Sequence, residues 1–337
     1  MAEGALLEPD DTAWAEALDR TRHDIYHLPE YARLDARLSG GEATAFRYDE
    51  GGHVLLLPLV LRPVPETGLI DATSPYGYPG PVSDVRPVDT GFWARAARAM
   101  VELLGTYGIV TTFVRLNPLL PAPRVSLETV GTVVGHGETV SIDLTLSPEQ
   151  LWADTHRSHR NQIGKARRAG VEVVFGDWAR YDAWIDTYHA TMRRVGARDF
   201  YFFAREYFGE LRDALGGHLH LATAVRDGEV LGGNLFFEYD GMMHTHLQST
   251  RDGVIFHADK LLYHEVRSWG RERGNRVFHL GGGVGGVDDS LFRYKAAFGS
   301  GRQEFHTWRL ITDPGAFEEL AGAVTAETLG GRFPPYR

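Results

Sequence analysis

Lys295 interrupts an otherwise apolar helical stripe directly after a run of glycines. The short apolar run Val277–Leu280 predicts a buried strand, and five of the six residues Gly281–Gly286 are glycine. Asp288, Asp289 and Ser290 are helix N-cap types, and a short helix over Leu291–Phe298 is expected to follow. On it Leu291, Tyr294, Lys295 and Phe298 fall at i, i+3, i+4 and i+7, which is one face. Glycine lets a ligand approach the backbone closely, so an ammonium and bare N–H groups would both be aimed at a bound molecule. The alternative is that Lys295 buries its stem and carries its charge out to water. Gly281, Gly283 and Gly286 also match G-x-G-x-x-G. A dinucleotide site is rejected, because the next helix is too short and no further βαβ unit follows.

Other side chains with chemistry lie upstream. Residues 156–168, HRSHRNQIGKARR, carry five Lys or Arg, two His and no acid. Arg160 and Arg167 share a helical face, with Arg168 close to it and Lys165 off it; a solvated helix face is the plain reading. His244 and His246 alternate along a strand and are expected to point the same way. They have no convincing third ligand, so no metal is expected. Asn234, His246 and Gln248 are candidate hydrogen-bonding residues on neighbouring strands. Tyr76–Pro81 is a proline-stiffened loop with two aromatics, Tyr76 and Tyr78.

The elements that must position these residues occur twice. Ala43–Arg47, ATAFR, is echoed by Ala222–Arg226, ATAVR. Each copy continues through a tight turn, Asp49–Gly52 or Asp227–Gly228, into a second strand, Val54–Leu61 or Val230–Tyr239. Each then reaches an amphipathic helix, Thr90–Tyr107 or Ala258–Arg273, closed by Gly108 or Gly274. A further strand follows, Val110–Leu116 or Arg276–Leu280. So long a period predicts duplicated domains rather than a solenoid. The boundary is placed near Thr145–Glu149, where Ser147 is an N-cap and Pro148 the first helical residue. At 337 residues the chain is long enough for two such domains.

Composition narrows the function. Hydrophobic content of 43% and charged content of 24% describe a globular, soluble chain. The longest apolar run, Val54–Val60, contains Pro58 and is too short to span a bilayer. The acidic N-terminus lacks the basic region of a signal peptide. With no cysteine there is no disulfide, thiolate zinc site or thiol nucleophile. A cytoplasmic protein is expected. A net charge of −10 argues against broad nucleic-acid binding, and no DNA partner is expected.

Three segments carry a resemblance. Residues 159–171, HRNQIGKARRAGV, are similar to the basic R-x-x-I-x-K-A-x-x-x-G-V helix of the FemABX-type aminoacyl transferases and their BioF2-like acetyltransferase relatives. Leu280–Gly283 followed by Leu291–Phe298 resembles the glycine turn and aromatic–lysine segment of that family. The Ser74–Pro81 loop resembles its proline–tyrosine loop. The resemblance implies an α/β fold of two tandem GNAT-like acyltransferase domains with mixed sheets. The first would span 1–145 with a returning segment 306–337, and the second, carrying the donor site, 146–305.

It also implies a reaction, the joining of an amino acid from aminoacyl-tRNA to the amine of a small molecule or peptidoglycan precursor. The ester is already activated, so alignment and oxyanion stabilisation suffice. Lys295 matches the functional lysine, and Tyr294 matches a neighbouring aromatic that would stack on the terminal adenosine. Arg160, Lys165, Arg167 and Arg168 would contact tRNA phosphates. Tyr76, Tyr78, Asn234, His246 and Gln248 would line the acceptor side, with Glu238 and Asp71 as weak candidates for a general base. No cofactor is implied, aminoacyl-tRNA being a co-substrate. The family's N-terminal W-x-x-x-K-like helix is not reproduced in residues 28–37. Tyr31 replaces its aromatic and Arg33 or Arg37 its lysine, which weakens the expectation of a peptidoglycan acceptor. The competing donor is acyl-CoA. Its pyrophosphate loop, [QR]-x-x-G-x-[GA], fails at the last position in both near matches, Arg193–Arg198 and Arg271–Arg276.

Overall fold

The computed structural model describes residues 3–251 and 256–337. Its strands are β1 Glu3–Leu7, β2 Glu42–Glu50, β3 His53–Pro63, β4 Ile70–Thr73, β5 Val82–Ser83, β6 Ile109–Arg115, β7 Thr132–Asp143, β8 Glu172–Phe175, β9 Leu219–Arg226, β10 Glu229–Tyr239, β11 Met242–Thr250, β12 Val277–Gly281 and β13 Gly301–Ile311. The helices are α1 Thr12–Arg20, α2 Pro29–Ser39, α3 Thr90–Thr106, α4 Arg124–Leu127, α5 Pro148–Asp154, α6 Arg157–Arg168, α7 Tyr181–Val195, α8 Arg205–Leu215, α9 Ala258–Glu272, α10 Ser290–Ala296, α11 Pro314–Ala321 and α12 Ala326–Gly330.

The chain divides into two compact units, residues 1–137 with 304–337, and residues 138–303. The second therefore begins inside β7, ahead of the Ser147 cap where composition placed the boundary. The reason is pairing: Val140, Ser141, Ile142 and Asp143 of β7 already bond to β12. Ser147 does cap α5, accepting from the Gln150 N–H at 3.3 Å while the Gln150 side chain accepts from the Ser147 N–H at 2.8 Å.

Each unit repeats one plan. In the first the strand order is β1-β2-β3-β4-β6-β13, with β5 paired to β3. In the second it is β8-β9-β10-β11-β12-β7. In both, an antiparallel hairpin leads to a third strand, then a helix crosses over to a parallel fourth strand, β4 with β6 or β11 with β12. The crossover helices α3 and α9 are capped at their C-termini by Tyr107 and Arg273, each followed by a left-handed glycine. The sixth strand is antiparallel in each case, but it precedes the repeat in one unit and follows it, far along the chain, in the other. β13, from the returning segment, closes the first sheet, whereas β7, from ahead of the repeat, closes the second. Both sheets are mixed and the class is α/β. Phe92, Trp93, Ala96, Met100 and Leu104 of α3 fill the first core, and Leu261, Leu262 and Val266 of α9 with Ile163 and Ala166 of α6 fill the second. Among the described residues no helix is long and apolar enough to cross a membrane.

Candidate active site in the second unit

The two parallel strands of the second sheet pair only as far as His244 and His279. β11 runs on to Thr250, while β12 shifts register at Leu280 and pairs its last residue, Gly281, with Val140 of β7. A fork opens at the carboxyl ends of two parallel strands, the place where α/β sheets receive ligands. α9 starts beside it and α10 follows the glycine turn.

A bulge in β11 decides which side chains face the fork. Leu247 pairs with Leu235 and Thr245 with Phe236, so His246 is an extra residue. Upstream of it Thr245 shares the α9 face with Phe236. Downstream Gln248 pairs with Asn234 and lies on that same face. His246 turns the other way, with its ring 4.5 Å from that of Phe237 and its Nε2 3.1 Å from the Tyr207 hydroxyl of α8. Burial holds its pKa down to about 3. The sequence reading offered His246 or Gln248, and Asn234 from the neighbouring strand, as groups lining the cleft; the bulge turns His246 to the opposite face. Strict alternation along a strand contains no signal for an inserted residue.

Around the fork the polar side chains lack partners. Asn234 is fully buried and neither amide atom makes a hydrogen bond. The Tyr294 hydroxyl faces Gln248 and Asp259 without closing a bond, and the Tyr263 hydroxyl likewise faces Thr245. Burial raises both phenols, Tyr294 well above its ordinary value. Asp259, 5% exposed, gives Oδ2 to the Lys260 ammonium at 2.6 Å and leaves Oδ1 unpaired. Lys260 Nζ lies 4.9 Å from the centre of the Tyr294 ring, a cation–π distance. An unpaired buried polar group costs about 1–3 kcal/mol, so these atoms are ones that a bound group or water would satisfy. Asp259, Lys260 and Tyr263 escaped the sequence reading, which treated α9 as an ordinary amphipathic helix. Their signal was a charged pair within its apolar stripe.

Tyr294 and Lys295 face different neighbours. Tyr294 packs edge-on to His159 at 5.4 Å and to Phe298 at 5.4 Å, fixing α10 against α6. Buried Arg267 ties the same corner, donating to the Thr155 hydroxyl at 2.7 Å and the Phe298 carbonyl at 3.2 Å. Lys295 is half-buried and donates to the Gly282 carbonyl at 2.7 Å. Burial pulls its pKa down to about 8, against the opposing pull of Asp289. Asp289 caps α10 through the Phe292 N–H at 2.8 Å and reaches back to the Val284 N–H at 3.0 Å. At Gly283 a Cβ would lie 2.1 Å from the Val287 carbonyl oxygen, so only glycine permits this turn. The ammonium is thus held to the glycine turn rather than carried out to water.

The basic helix divides its charges. Arg160 turns back to the Trp152 carbonyl at 3.2 Å, and Arg167 pairs with Glu265 of α9 at 2.8 Å. Lys165 and Arg168 are exposed; burial lowers the pKa of His257 at the start of α9, and Lys260 and Lys165 add to that against the pull of Asp259. An open cavity of about 630 Å³ lies beside the helix start, lined by His156, Ser158, His159, Arg293, Tyr294 and Arg302 among others. Among the described residues no group of three or more His, Asp or Glu is placed to hold a metal.

Tyr76 and Tyr78 belong to the first unit. The Tyr76 carbonyl accepts from the Tyr31 hydroxyl at 2.8 Å, the Tyr78 carbonyl from Asn117 Nδ2 at 2.6 Å, and the Tyr78 ring packs edge-on to Phe305 at 5.3 Å. Arg33 pairs with Asp10, and Arg37 is exposed. The two weak candidates for a base are structural. Asp71 is fully buried between Arg62, at 2.9 Å, and Arg337. Glu238 is clamped by Arg273 at 2.8 Å and by Asn275 at 2.6 Å; burial would raise its pKa, but these bonds outweigh it and hold it low.

Residues 153–296, all within the second unit, match the family model described as an acetyltransferase (GNAT) domain. No curated protein matches the chain. Among solved structures, that of FemX is similar over 95% of this chain and 100% of its own, with 13% identity and a TM-score of 0.75. L-PGS from Bacillus licheniformis is similar over 97% and 99%, with 12% identity and a TM-score of 0.60. The C-terminal domain of a putative lysylphosphatidylglycerol synthetase from Agrobacterium fabrum is similar over 94% and 98%, with 16% identity and a TM-score of 0.57. At these identities the likeness is one of fold, and the fold is FemABX-like, with GNAT-like domains.

Proposed function

We propose that the protein is an aminoacyltransferase of the cytoplasm. It takes an amino acid from aminoacyl-tRNA and forms an amide with the amine of a small molecule or peptidoglycan precursor. The observation that carries this reading is the Tyr294–Lys295 pair on α10, seated at the open end of the β11–β12 fork beside unsatisfied polar groups. Likeness in fold to FemX and to the C-terminal domain of a putative lysylphosphatidylglycerol synthetase supports an aminoacyl donor.

The amine nitrogen forms the new C–N bond, the ester C–O bond breaks, and the amine's proton ends on the ribose hydroxyl. Lys295 stabilises the developing oxyanion or the donor's ribose and phosphate, and to do so it exchanges the Gly282 carbonyl for the ligand. Tyr294 offers its ring to the terminal adenosine. Lys165 and Arg168, both exposed, are the phosphate contacts, with Arg160 and Arg167 on the flank. Asn234 and Gln248 line the fork, and Tyr76 and Tyr78 are assigned to the acceptor side on the resemblance alone.

The match to the acetyltransferase (GNAT) domain favours a second reading, an acyl-CoA-dependent N-acyltransferase. Incubation with total aminoacyl-tRNA or with acetyl-CoA, each with a cell-extract amine pool, separates the two by mass spectrometry of amide products. RNase-sensitive product is expected. Product from acetyl-CoA alone would overturn the proposal.

A further inference from the structure

The cavity of about 630 Å³ lies outside the fork, where the end of α5, the start of α6, α10 and the start of β13 meet. Its size is that of a small-molecule pocket. Two cations and one acid line it, Arg293, Arg302 and Asp154. The acid is already engaged, because Asp154 Oδ2 accepts from the Ser300 N–H at 2.8 Å and from the Ser300 hydroxyl at 3.1 Å. The cations keep donors in reserve. Arg293 pairs with Asp288 at 3.4 Å, and both side chains are exposed, so that pair contributes little and exchanges readily. Arg302 donates Nη1 to the Gly299 and Gly301 carbonyls at 2.9 and 2.8 Å. Those bonds fix its guanidinium and leave Nε and Nη2 to a ligand.

The rest of the wall also donates. The first turn of α6 holds no acid to offset the positive end of its dipole. His156 caps that turn, its Nδ1 accepting from the Ser158 N–H at 3.3 Å, which puts the hydrogen of the neutral ring on Nε2. His159, 6% exposed and part of the same wall, has no partner at Nδ1. A carboxylate offers two oxygens, which one guanidinium satisfies. A phosphate ester offers more charge and three terminal oxygens, enough for two guanidiniums and a helix end. The cavity is much larger than a phosphate group and leaves room for the organic part of the ester.

We propose that this cavity binds a phosphate ester of nucleotide size, held by Arg293, Arg302, His156 and the start of α6. Lys165 and Arg168 lie at the other end of that helix. Tyr294 belongs both to the cavity wall and to the fork, where its hydroxyl faces Gln248 and Asp259, so the bound ester lies beside the donor site. The inference does not depend on the aminoacyl-tRNA reading, because the ester is either a unit of the donor strand or a separate nucleotide.

Calorimetry with cytidine 5′-monophosphate and with cytidine tests it. Cytidine is chosen because adenosine is assigned to the fork. The monophosphate is expected to bind on the order of tenfold or more tightly than cytidine, and less tightly as salt rises. Arg293→Gln and Arg302→Gln, each checked for unchanged circular dichroism, should each remove most of that preference, and Lys295→Ala should leave it intact. Arg293 is exposed, so its replacement spares the fold. A competing aminoacyl minihelix separates the two sources. Displacement of the monophosphate identifies a unit of the donor strand, simultaneous binding identifies a separate nucleotide, and either supports the site. Equal binding of monophosphate and cytidine, binding of neither, or a preference that survives both arginine substitutions overturns it. A preference lost in Lys295→Ala places the phosphate in the fork and also overturns it. The amide-forming assay with aminoacyl-tRNA or acetyl-CoA decides the donor independently of all these outcomes.

Discussion

The two units lay out their strands in the same order, yet they treat the parallel fork in opposite ways. In the first unit β4 stops at Thr73 and the chain stitches the gap shut. The Ser74 N–H donates to the Phe113 carbonyl at 2.8 Å, the Arg115 N–H to the Ser74 hydroxyl at 3.0 Å, and the Arg115 guanidinium to the Ser74 carbonyl at 3.1 Å. Asp35 adds to the closure through the Tyr76 backbone, although burial raises its pKa. In the second unit β11 runs past the last pair, bulges at His246 and leaves Asn234, Tyr263, Tyr294 and Asp259 unsatisfied. Duplication has produced one fork closed by its own chain and one left open with buried polar side chains beside it.

The largest expected effect separates the forks by activity. Lys295→Ala should lower turnover by about 10²-fold or more if the ammonium stabilises the oxyanion. A near-normal rate in a transfer assay would return Lys295 to holding the Gly282 carbonyl. The next separates them by stability. Asp71→Ala strips two arginines of a buried partner in the first unit and should cost about 3–5 kcal/mol in denaturant unfolding. The surviving folded enzyme should keep its turnover, and a selective loss of rate would place Asp71 in the chemistry.

Acidity sharpens the contrast further. Lys295, with its pKa lowered to about 8 chiefly by burial, loses its charge earlier than an ordinary lysine. Activity that needs the ammonium should therefore fall as pH rises through about 8. Lys295→Arg, charged throughout, should move that limb upward, and a rate that climbs through this range would mean that the neutral amine is the active form. His246 works in the other direction. With a folded pKa of about 3, against about 6.5 when unfolded, its neutral form is preferred in the fold. The unfolded chain takes up the proton first, so stability is lost as pH falls below about 6.5. His246→Gln should flatten this dependence of the melting temperature. The smallest effect belongs to the closed fork. Ser74→Ala removes the bond to the Arg115 N–H and should cost about 1 kcal/mol with no change in rate.

Much of this scaffold could be read from periodicity and punctuation. Repeated hairpins, two crossover helices ending at glycines, the Ser147 cap and the short helix bearing Tyr294 and Lys295 all depend on local pattern, and α10 appears at Ser290–Ala296 where a helix over Leu291–Phe298 was expected. The features that shape the site are non-local. An extra residue at His246 becomes visible only when β11 meets β10, and it reverses which side chains share a wall. The mid-chain β7 closes the second sheet and the late β13 closes the first, a crossing of strands that no local pattern records. Lys295 finds the Gly282 carbonyl because the turn folds back on α10. Asp259 and Lys260 become a buried pair only after α10 covers them.

Hydrogen exchange with a non-hydrolysable aminoacyl minihelix tests the central claim most directly, because it reports on both forks in one experiment. Protection is expected in Ala258–Glu272 and Ser290–Ala296 of the second unit, with none gained over Ile70–Thr73 or Ile109–Arg115 of the first. Protection confined to the first fork, or absent from α9 and α10, would contradict the assignment of the open fork as the donor site.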